Sequence, residues 1–392
     1  RGGKTNTSKE MKIAYISFVS FADCDIPFIK ELIQIGIDVT YYIIVSNNTK
    51  YGPAINIKKT KDKCGIYNAS EYQELSKNSF IAGIPRIRIV NMSVPHNYAP
   101  SSIVLGYKLR KELKTKKFDL IHITWPLDYP FFFIYTIKLP IIITVHDPIP
   151  HSSNETLREN FKRYVIFKRA DKFILLNETQ VTAFKKRYNI KNNKITISKL
   201  GPYTYLREIQ KKRIIEGEYI LFTGYISPYK GLKYLVKAME EIHIRFPDIK
   251  LVVAGKGTPD FDIKLYTQNG TVIFINRFIS SEELASLIEY SKFVVCPYID
   301  ATQSGVIMSS FALNKPVLAT NVGALHEMIG NNERGMLIPP KDHIALAKAA
   351  INMLEGNTLE LMSKNIDYCY SVGNNAWRTI TQDIKDMYTE LV

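Results

Sequence analysis

At 392 residues with 46% apolar content, the chain exceeds the size at which one core stops growing, and two domains of roughly 200 residues are expected. Its formal charge of +15 is lopsided: residues 1–200 carry 32 Lys and Arg against 16 Asp and Glu, net +16, while residues 201–392 carry 20 against 21, net −1. The most apolar stretch, Pro130 to Val145, is broken by Lys138 and Pro140 short of the ~20 residues a bilayer span needs, no secretory h-region follows the start, and Cys24, Cys64, Cys296 and Cys369 form no Cys-x-x-Cys pair, so a spanning segment, export, a disulfide framework and a structural zinc site are not indicated.

Arg1 to Glu10 read as a polar tail before Met11. From there the pattern is an apolar strand, Lys12 to Val19, an amphipathic helix near Ile26 to Ile35, and a second strand, Asp38 to Val45, one βαβ unit of a parallel sheet. Short β-branched runs at Leu120 to Thr124, Ile141 to Val145 and Phe173 to Leu176 continue the sheet, and basic amphipathic segments at Tyr107 to Lys117 and Phe161 to Arg169 separate them. These make an N-terminal doubly wound α/β domain over residues 11–204. The polar stretch 205–218 has no strong period and reads as a linker.

The same logic repeats over residues 219–375. Strands are predicted at Tyr219 to Thr223, Lys250 to Ala254, Val272 to Ile275, Phe293 to Pro297 and Pro316 to Thr320, with helices near Gly231 to Arg245 and Gly305 to Leu313. Ser280 and Glu283 have capping-box spacing at the start of another helix. Residues 376–392 read as a C-terminal helix with the option of crossing back to the N-terminal domain. In open α/β sheets ligands bind beyond the carboxyl ends of the strands, so two facing Rossmann-like domains imply a cleft between them.

Three segments fall on such strand-end loops. Asp300-Ala-Thr-Gln-Ser-Gly-Val306 follows a strand and opens a helix; its small residues let the backbone approach a phosphate, the helix N–H groups point at the anion, and Thr302, Gln303 and Ser304 add donors. Gly224-Tyr-Ile-Ser-Pro-Tyr-Lys-Gly231 offers Lys230 as a point charge for a diphosphate, without P-loop spacing. Gly255-Lys-Gly257 reads as a structural turn. Thr144-Val-His-Asp-Pro-Ile-Pro-His151 ends an N-domain strand and offers His146 and Asp147 for hydroxyl binding or proton handling. Asp23-Cys-Asp25 and Asp260-Phe-Asp262 spell a cation-binding Asp-x-Asp, and both are read as non-metal, because Lys230 and a helix N-terminus can meet a diphosphate without a cation.

From Phe222 to about Ile329 the chain resembles the donor domain of the retaining GT-B glycosyltransferases of glycosyltransferase family 4. The resemblance rests on Gly224 to Gly231, Ser281-Glu-Glu-Leu284, Cys296-Pro-Tyr298, Asp300 to Val306 and Lys315-Pro-Val-Leu-Ala-Thr-Asn-Val-Gly323; Asp119-Leu-Ile-His122 and Thr144 to Asp147 extend it more loosely into the first half. It implies a nucleotide-sugar donor held by Gly224, Tyr225, Lys230, Thr302, Gln303, Ser304, Gly305 and Val306, with Phe278 bordering the base. It also implies that His146 lies near the transferred sugar; Asp147 and Asp300 are the other catalytic candidates. The Ala-Thr-Gln-Ser-Gly run is similar to a subgroup common among transferases that build bacterial surface polysaccharides. Two departures stand out: Tyr225 occupies a place where the family often has arginine, and the family's two glutamates would fall near Ala301 and Ser309, with Asp300 replacing the first by a one-residue shift and nothing replacing the second.

The expected function is retaining transfer of a sugar from a nucleoside diphosphate to a glycan or polyprenyl-linked acceptor, with no cofactor and no metal. The expected location is the cytoplasm, with the basic half able to dock on the anionic inner face of the cytoplasmic membrane through Lys108, Arg110, Lys111, Lys162, Arg163, Lys168 and Arg169. Two other readings stay open. A nucleotide-sugar epimerase on the same architecture would turn over donor alone; a non-enzymatic binder of anionic lipid or nucleic acid would show salt-sensitive binding without turnover. Nucleic acid is not expected as a partner, since few aromatic-basic stripes occur and the second half is neutral.

Overall fold

The computed structural model describes residues 10–46, 52–58, 60–93, 99–148, 156–268 and 270–392. The chain divides into two compact units, one reaching Lys199 and including Trp377–Val392, the other Leu200–Ala376. The stretch read as a linker belongs to the second unit: Tyr205–Glu208 forms a helical turn with Tyr205 and Leu206 buried, and Lys212 N donates to Ser286 Oγ at 3.1 Å. Its apolar pair is too short to display a period, which is why the sequence pattern hides it.

Among the described residues the first unit holds β1 (Lys12–Phe18), β2 (Asp38–Ser46), β3 (Gly65–Asn68), β4 (Ile87–Met92), β5 (Leu120–Thr124), β6 (Ile141–Val145), β7 (Lys172–Leu175) and β8 (Ile195–Ile197). The spatial order is β3-β4-β2-β1-β5-β6-β7-β8. All neighbours are parallel except β3 and β4, so the sheet carries one antiparallel edge strand, a common addition to parallel sheets. The second unit holds β9 (Tyr219–Thr223), β10 (Lys250–Ala254), β11 (Val272–Ile275), β12 (Val294–Cys296), β13 (Val317–Thr320) and β14 (Gly335–Ile338), all parallel, in the order β11-β10-β9-β12-β13-β14. Both units are thus Rossmann-like.

Strand direction of travel reverses beside β1 in the first unit and beside β9 in the second, since the chain first winds to β2 or β10 and then returns to add β5 or β12 on the other side. These are topological switch points, where the loops after the two flanking strands part and leave room for a ligand. Helix packing keeps the strands fixed. Phe167, Phe173 and Phe184 are fully buried and meet edge to face at 5.3 to 5.5 Å, each burial stabilising by about 1.5–3 kcal/mol. In the second unit one apolar layer lines the helix Leu232–Arg245 through Leu235, Val236 and Met239, and another packs Ile307, Met308 and Phe311 of the helix Gly305–Ala312 on the opposite set of strand side chains.

The last helix, Trp377–Leu391, packs on the first unit. Its Tyr388 hydroxyl meets His122 Nδ1 at 2.5 Å, Trp377 lies 6.3 Å from the Phe28 ring, and Lys385 Nζ donates to Ile35 O at 2.9 Å. No helix of the described residues is long and apolar enough to cross a membrane; the apolar run from Tyr129 to Thr136 is a 3-10 helix with Phe131 and Ile134 buried.

Candidate active site

In the second unit the switch-point loops after β9 and β12 come together. After β9 the chain turns through Gly224, then forms a 3-10 turn at Pro228–Lys230. Gly231 ends that turn at φ 67°, and a Cβ there would lie 1.9 Å from Pro297 O, so only glycine lets the loop press against the end of β12. Ile299 N then donates to Tyr229 O at 2.7 Å and ties the two loops.

This packing delivers Lys230 onto Tyr298. The ammonium lies 3.6 Å from the centre of the Tyr298 ring and 5.3 Å from that of Tyr229, and burial lowers its pKa from the ordinary lysine value. Among the described residues no carboxylate pairs with this half-buried ammonium. The fully buried Tyr298 hydroxyl reaches Ser304 Oγ at 3.2 Å. Ser304 is the N-cap residue of the helix Gly305–Ala312, and because its oxygen is turned to Tyr298, no side-chain hydrogen bond caps that helix. The first N–H groups of the helix and its positive end are left to other acceptors. Ser227 Oγ, in the loop leading to Lys230, is buried without a hydrogen-bond partner among the described residues.

Gly224 stands against the same helix, since a Cβ built on it would lie 3.4 Å from Val306 Cγ2. The preceding loop is braced from β13: Thr320 Oγ1 donates to Tyr298 O at 2.6 Å and Ala324 N to Thr302 O at 3.1 Å. Gly224, Lys230, Ser304, Gly305 and Val306 are therefore neighbours, and Thr302 and Gln303 lie half-buried on the loop between them. Asp300 is exposed at its start. Tyr225 and Phe278 are exposed, 64% and 79%, and no hydrogen bond or ring contact among the described residues joins either to this group. Ser309 is buried and donates to Gly305 O at 3.0 Å, a bond within its own helix. Gly255 and Gly257 let the next loop lie against the backbone of Gly224 and Ile226.

In the first unit His146 and Asp147 follow β6. The His146 ring stacks on Phe21 at 4.7 Å and 30°, and burial pushes its pKa down to about 4 with Asp147 pulling the other way. Phe21 stacks in turn on Trp125, just after β5. Ile149, Pro150 and His151 lie outside the described residues. Of the two Asp-x-Asp segments, Asp23 and Asp25 are buried in the first turn of the helix Ala22–Gln34; Asp25 accepts from Tyr15 at 2.7 Å and Thr124 at 3.0 Å. Burial raises Asp23 to about 7, with the charge of Asp25 adding, and raises Asp25 to about 6. Asp260 pairs with Lys233 at 3.1 Å and Asp262 accepts from Lys264 N.

Sequence reasoning missed Tyr298, Ser227, Phe21, Trp125 and Arg163 as parts of these sites. Tyr298 and Ser227 had a signal, each lying in a quoted strand-end segment, and the aromatic pair had none, because Phe21 and Trp125 are brought together only by the pairing of β1 with β5.

Two segments match family models: residues 64–201 that described as Glycosyltransferase Family 4, and residues 217–356 that described as Glycosyl transferases group 1. The chain is 28% identical over 149 residues to a phosphatidyl-myo-inositol mannosyltransferase of Mycolicibacterium smegmatis, an alignment covering 37% of this chain and 38% of that protein, so it spans well under half the length of that relative. Its fold is that of a glycosyltransferase from Rickettsia africae, with a TM-score of 0.67 at 16% identity covering 98% and 99% of the two chains. The same holds for HepE of Anabaena, whose structure was solved in complex with UDP and glucose, with a TM-score of 0.64 at 14% identity covering 97% and 100%. With both halves of the family pattern present in order, over more than two thirds of its residues and on two Rossmann-like units, the chain belongs to the family-4 glycosyltransferases of the GT-B fold.

Proposed function

We propose that the chain is a retaining, metal-independent glycosyltransferase that moves a sugar from a nucleoside diphosphate to a glycan or polyprenyl-linked acceptor in surface polysaccharide synthesis. The observation that carries this reading is Lys230, a half-buried cation without a carboxylate partner among the described residues, beside an uncapped helix N-terminus and the orphan Ser227 hydroxyl. Such a group suits an anion, and a diphosphate would meet both the ammonium and the helix N–H groups. The UDP complex of HepE supports a nucleotide of this kind as donor.

In the reaction, the bond from the anomeric carbon to the diphosphate oxygen breaks while the bond to the acceptor oxygen forms on the same face. Lys230 and the N–H groups at Gly305 and Val306 stabilise the charge that develops on the leaving diphosphate, and that oxygen takes the acceptor proton. His146, neutral at pH 7 by its depressed pKa, and Asp147 bind sugar hydroxyls, and Asp300 supplies a carboxylate at the start of the donor loop. No divalent ion is required in this scheme.

The basic half is the proposed membrane contact, in the cytoplasm and on the inner leaflet. Lys108, Lys111 and Lys168 are exposed and support it, as do the exposed rings of Tyr107, Phe161 and Tyr164. Of the other cations expected there, Arg163 alone is buried, which corrects the sequence reading for that residue, and the rest hold local partners at the surface. Arg163 is buried, Lys162 pairs with Asp128 and Glu159, Arg169 pairs with Asp171, and Arg110 donates to Thr136. The overall reading is tested by incubating the chain with a panel of radiolabelled nucleotide sugars and either polyprenyl-linked or soluble glycans. Transfer to an acceptor with the donor's anomeric configuration supports it; donor epimerisation without an acceptor overturns it.

A further inference from the structure

We infer that Phe21, Trp125 and Arg163 form a stacked support that fixes the imidazole plane of His146, and that Arg163 and Phe21 are positioning residues for the role assigned to that histidine. The inference rests on the reading of His146 as a sugar-site residue. Four flat groups follow one another: the Arg163 guanidinium 4.9 Å from the Trp125 ring, Trp125 5.9 Å from Phe21 at 26°, and Phe21 4.7 Å from His146 at 30°. They come from four places in the sequence: three directly beyond the carboxyl ends of β1, β5 and β6, and the fourth the helix Leu157–Arg169.

Arg163 is 2% exposed, and an apolar side chain of similar volume would fill its place without the desolvation of a charge. The guanidinium instead makes two hydrogen bonds. Its Nε donates to Glu159 Oε1 at 3.0 Å, one turn back on the helix, and Nη1 donates to the main-chain oxygen of Asp147 at 2.7 Å. One group therefore clamps the residue following His146 by a hydrogen bond and supports the ring of His146 through two intervening aromatics. Lysine could supply the charge, but not the planar face and the fork together.

Trp125 adds a second sign of constraint. Its φ is 77°, a conformation that bulky side chains seldom adopt, and its N–H is tied to Thr144 O at 3.1 Å, two residues before His146. The strained residue and the histidine are thus anchored to the same strand end. Stacking acts on the ring face and consumes neither imidazole nitrogen, so it orients His146 without spending a hydrogen-bonding atom.

The test is a pH titration of histidine-labelled full-length chain by NMR, with the His146 signal among the seven histidines identified by its loss in His146→Gln. Phe21→Leu and Arg163→Lys should each raise the His146 midpoint by about one pH unit toward the ordinary imidazole value and broaden its ring signals. Phe21→Tyr, which keeps a stacking ring, should leave both unchanged. Thermal melting accompanies each variant, and Phe21→Leu, at a partly exposed position, serves if Arg163→Lys does not fold. A folded Phe21→Leu chain whose His146 titration matches the parent overturns the inference. Because the readout needs no sugar transfer, it can fail or succeed independently of the proposed activity.

Discussion

The Lys230 ammonium sits 3.6 Å over the ring of Tyr298, and the hydroxyl of that ring reaches Ser304 Oγ at 3.2 Å. One buried tyrosine thus places the cation by its face and turns aside the N-cap of the neighbouring helix by its edge.

Separating the two functions of Tyr298 gives the first prediction. Lys230→Ala should weaken nucleoside diphosphate binding by about 1.5–3 kcal/mol, or roughly 10- to 150-fold, the usual loss for a hydrogen bond to a charged group. Tyr298→Phe keeps the ring and should change affinity less than about threefold, whereas Tyr298→Leu should approach the Lys230→Ala value. Calorimetric titration with UDP and GDP reads all three. Equal losses in Tyr298→Phe and Tyr298→Leu would assign the effect to the hydroxyl instead.

The central strands were legible because they are buried and read as unbroken apolar runs, and the half-buried edge strand Val272–Ile275 was legible because all four of its residues are apolar. Leu120–Thr124, Ile141–Val145, Tyr219–Thr223, Lys250–Ala254 and Val272–Ile275 fall where the pattern puts them. The Ser280–Glu283 capping box was legible for the same local reason and forms with both bonds. Other edge strands were not: Ile195–Ile197 is three residues long and half exposed, and Gly65–Asn68 is a short edge whose pairing is antiparallel. The candidate phosphate loops could be read from strand, glycine and lysine order. The direction of Arg163 could not, since its i,i+4 pairing with Glu159 and inward turn depend on Trp125 being held by another strand. Periodicity alone placed it with the surface lysines.

Buried titratable groups in the first unit predict an asymmetric pH dependence of stability. Burial pushes His122 from 6.5 to about 3, so its contribution is present above pH 6.5 and lost as pH falls toward 3. Asp23 and Asp25 are raised to about 7 and about 6, so their contribution is present at low pH and lost as pH rises through that range. Denaturant unfolding from pH 4 to 8 should show Asp23→Asn flattening the loss toward neutral pH. An unchanged slope would mean that Asp23 ionises freely in the fold.

Tyr388→Phe removes the hydroxyl that His122 Nδ1 meets at 2.5 Å in the buried network linking the last helix to β5. The expected cost is about 1–3 kcal/mol, the penalty for leaving a buried polar atom unpaired. A midpoint shift near zero in the same unfolding assay would show that the ring nitrogen finds another partner.

Vesicle co-sedimentation should show binding to anionic and not to neutral lipid, falling with salt. Charge reversal at Lys108 and Lys111 should weaken it by about 1 kcal/mol or more per site. Arg163→Lys should leave it unchanged, because Arg163 is turned inward. Equal partitioning to both lipids would remove the membrane contact from the account.

The most direct test of the central claim is calorimetric titration of the full chain with UDP-glucose and a panel of other nucleoside diphosphate sugars in excess EDTA, for the parent and Lys230→Ala. Saturable binding of at least one donor by the parent without added metal is expected, with at least tenfold weaker binding by the variant. Binding that appears only when a divalent ion is restored, or that is identical in the two proteins, would contradict it.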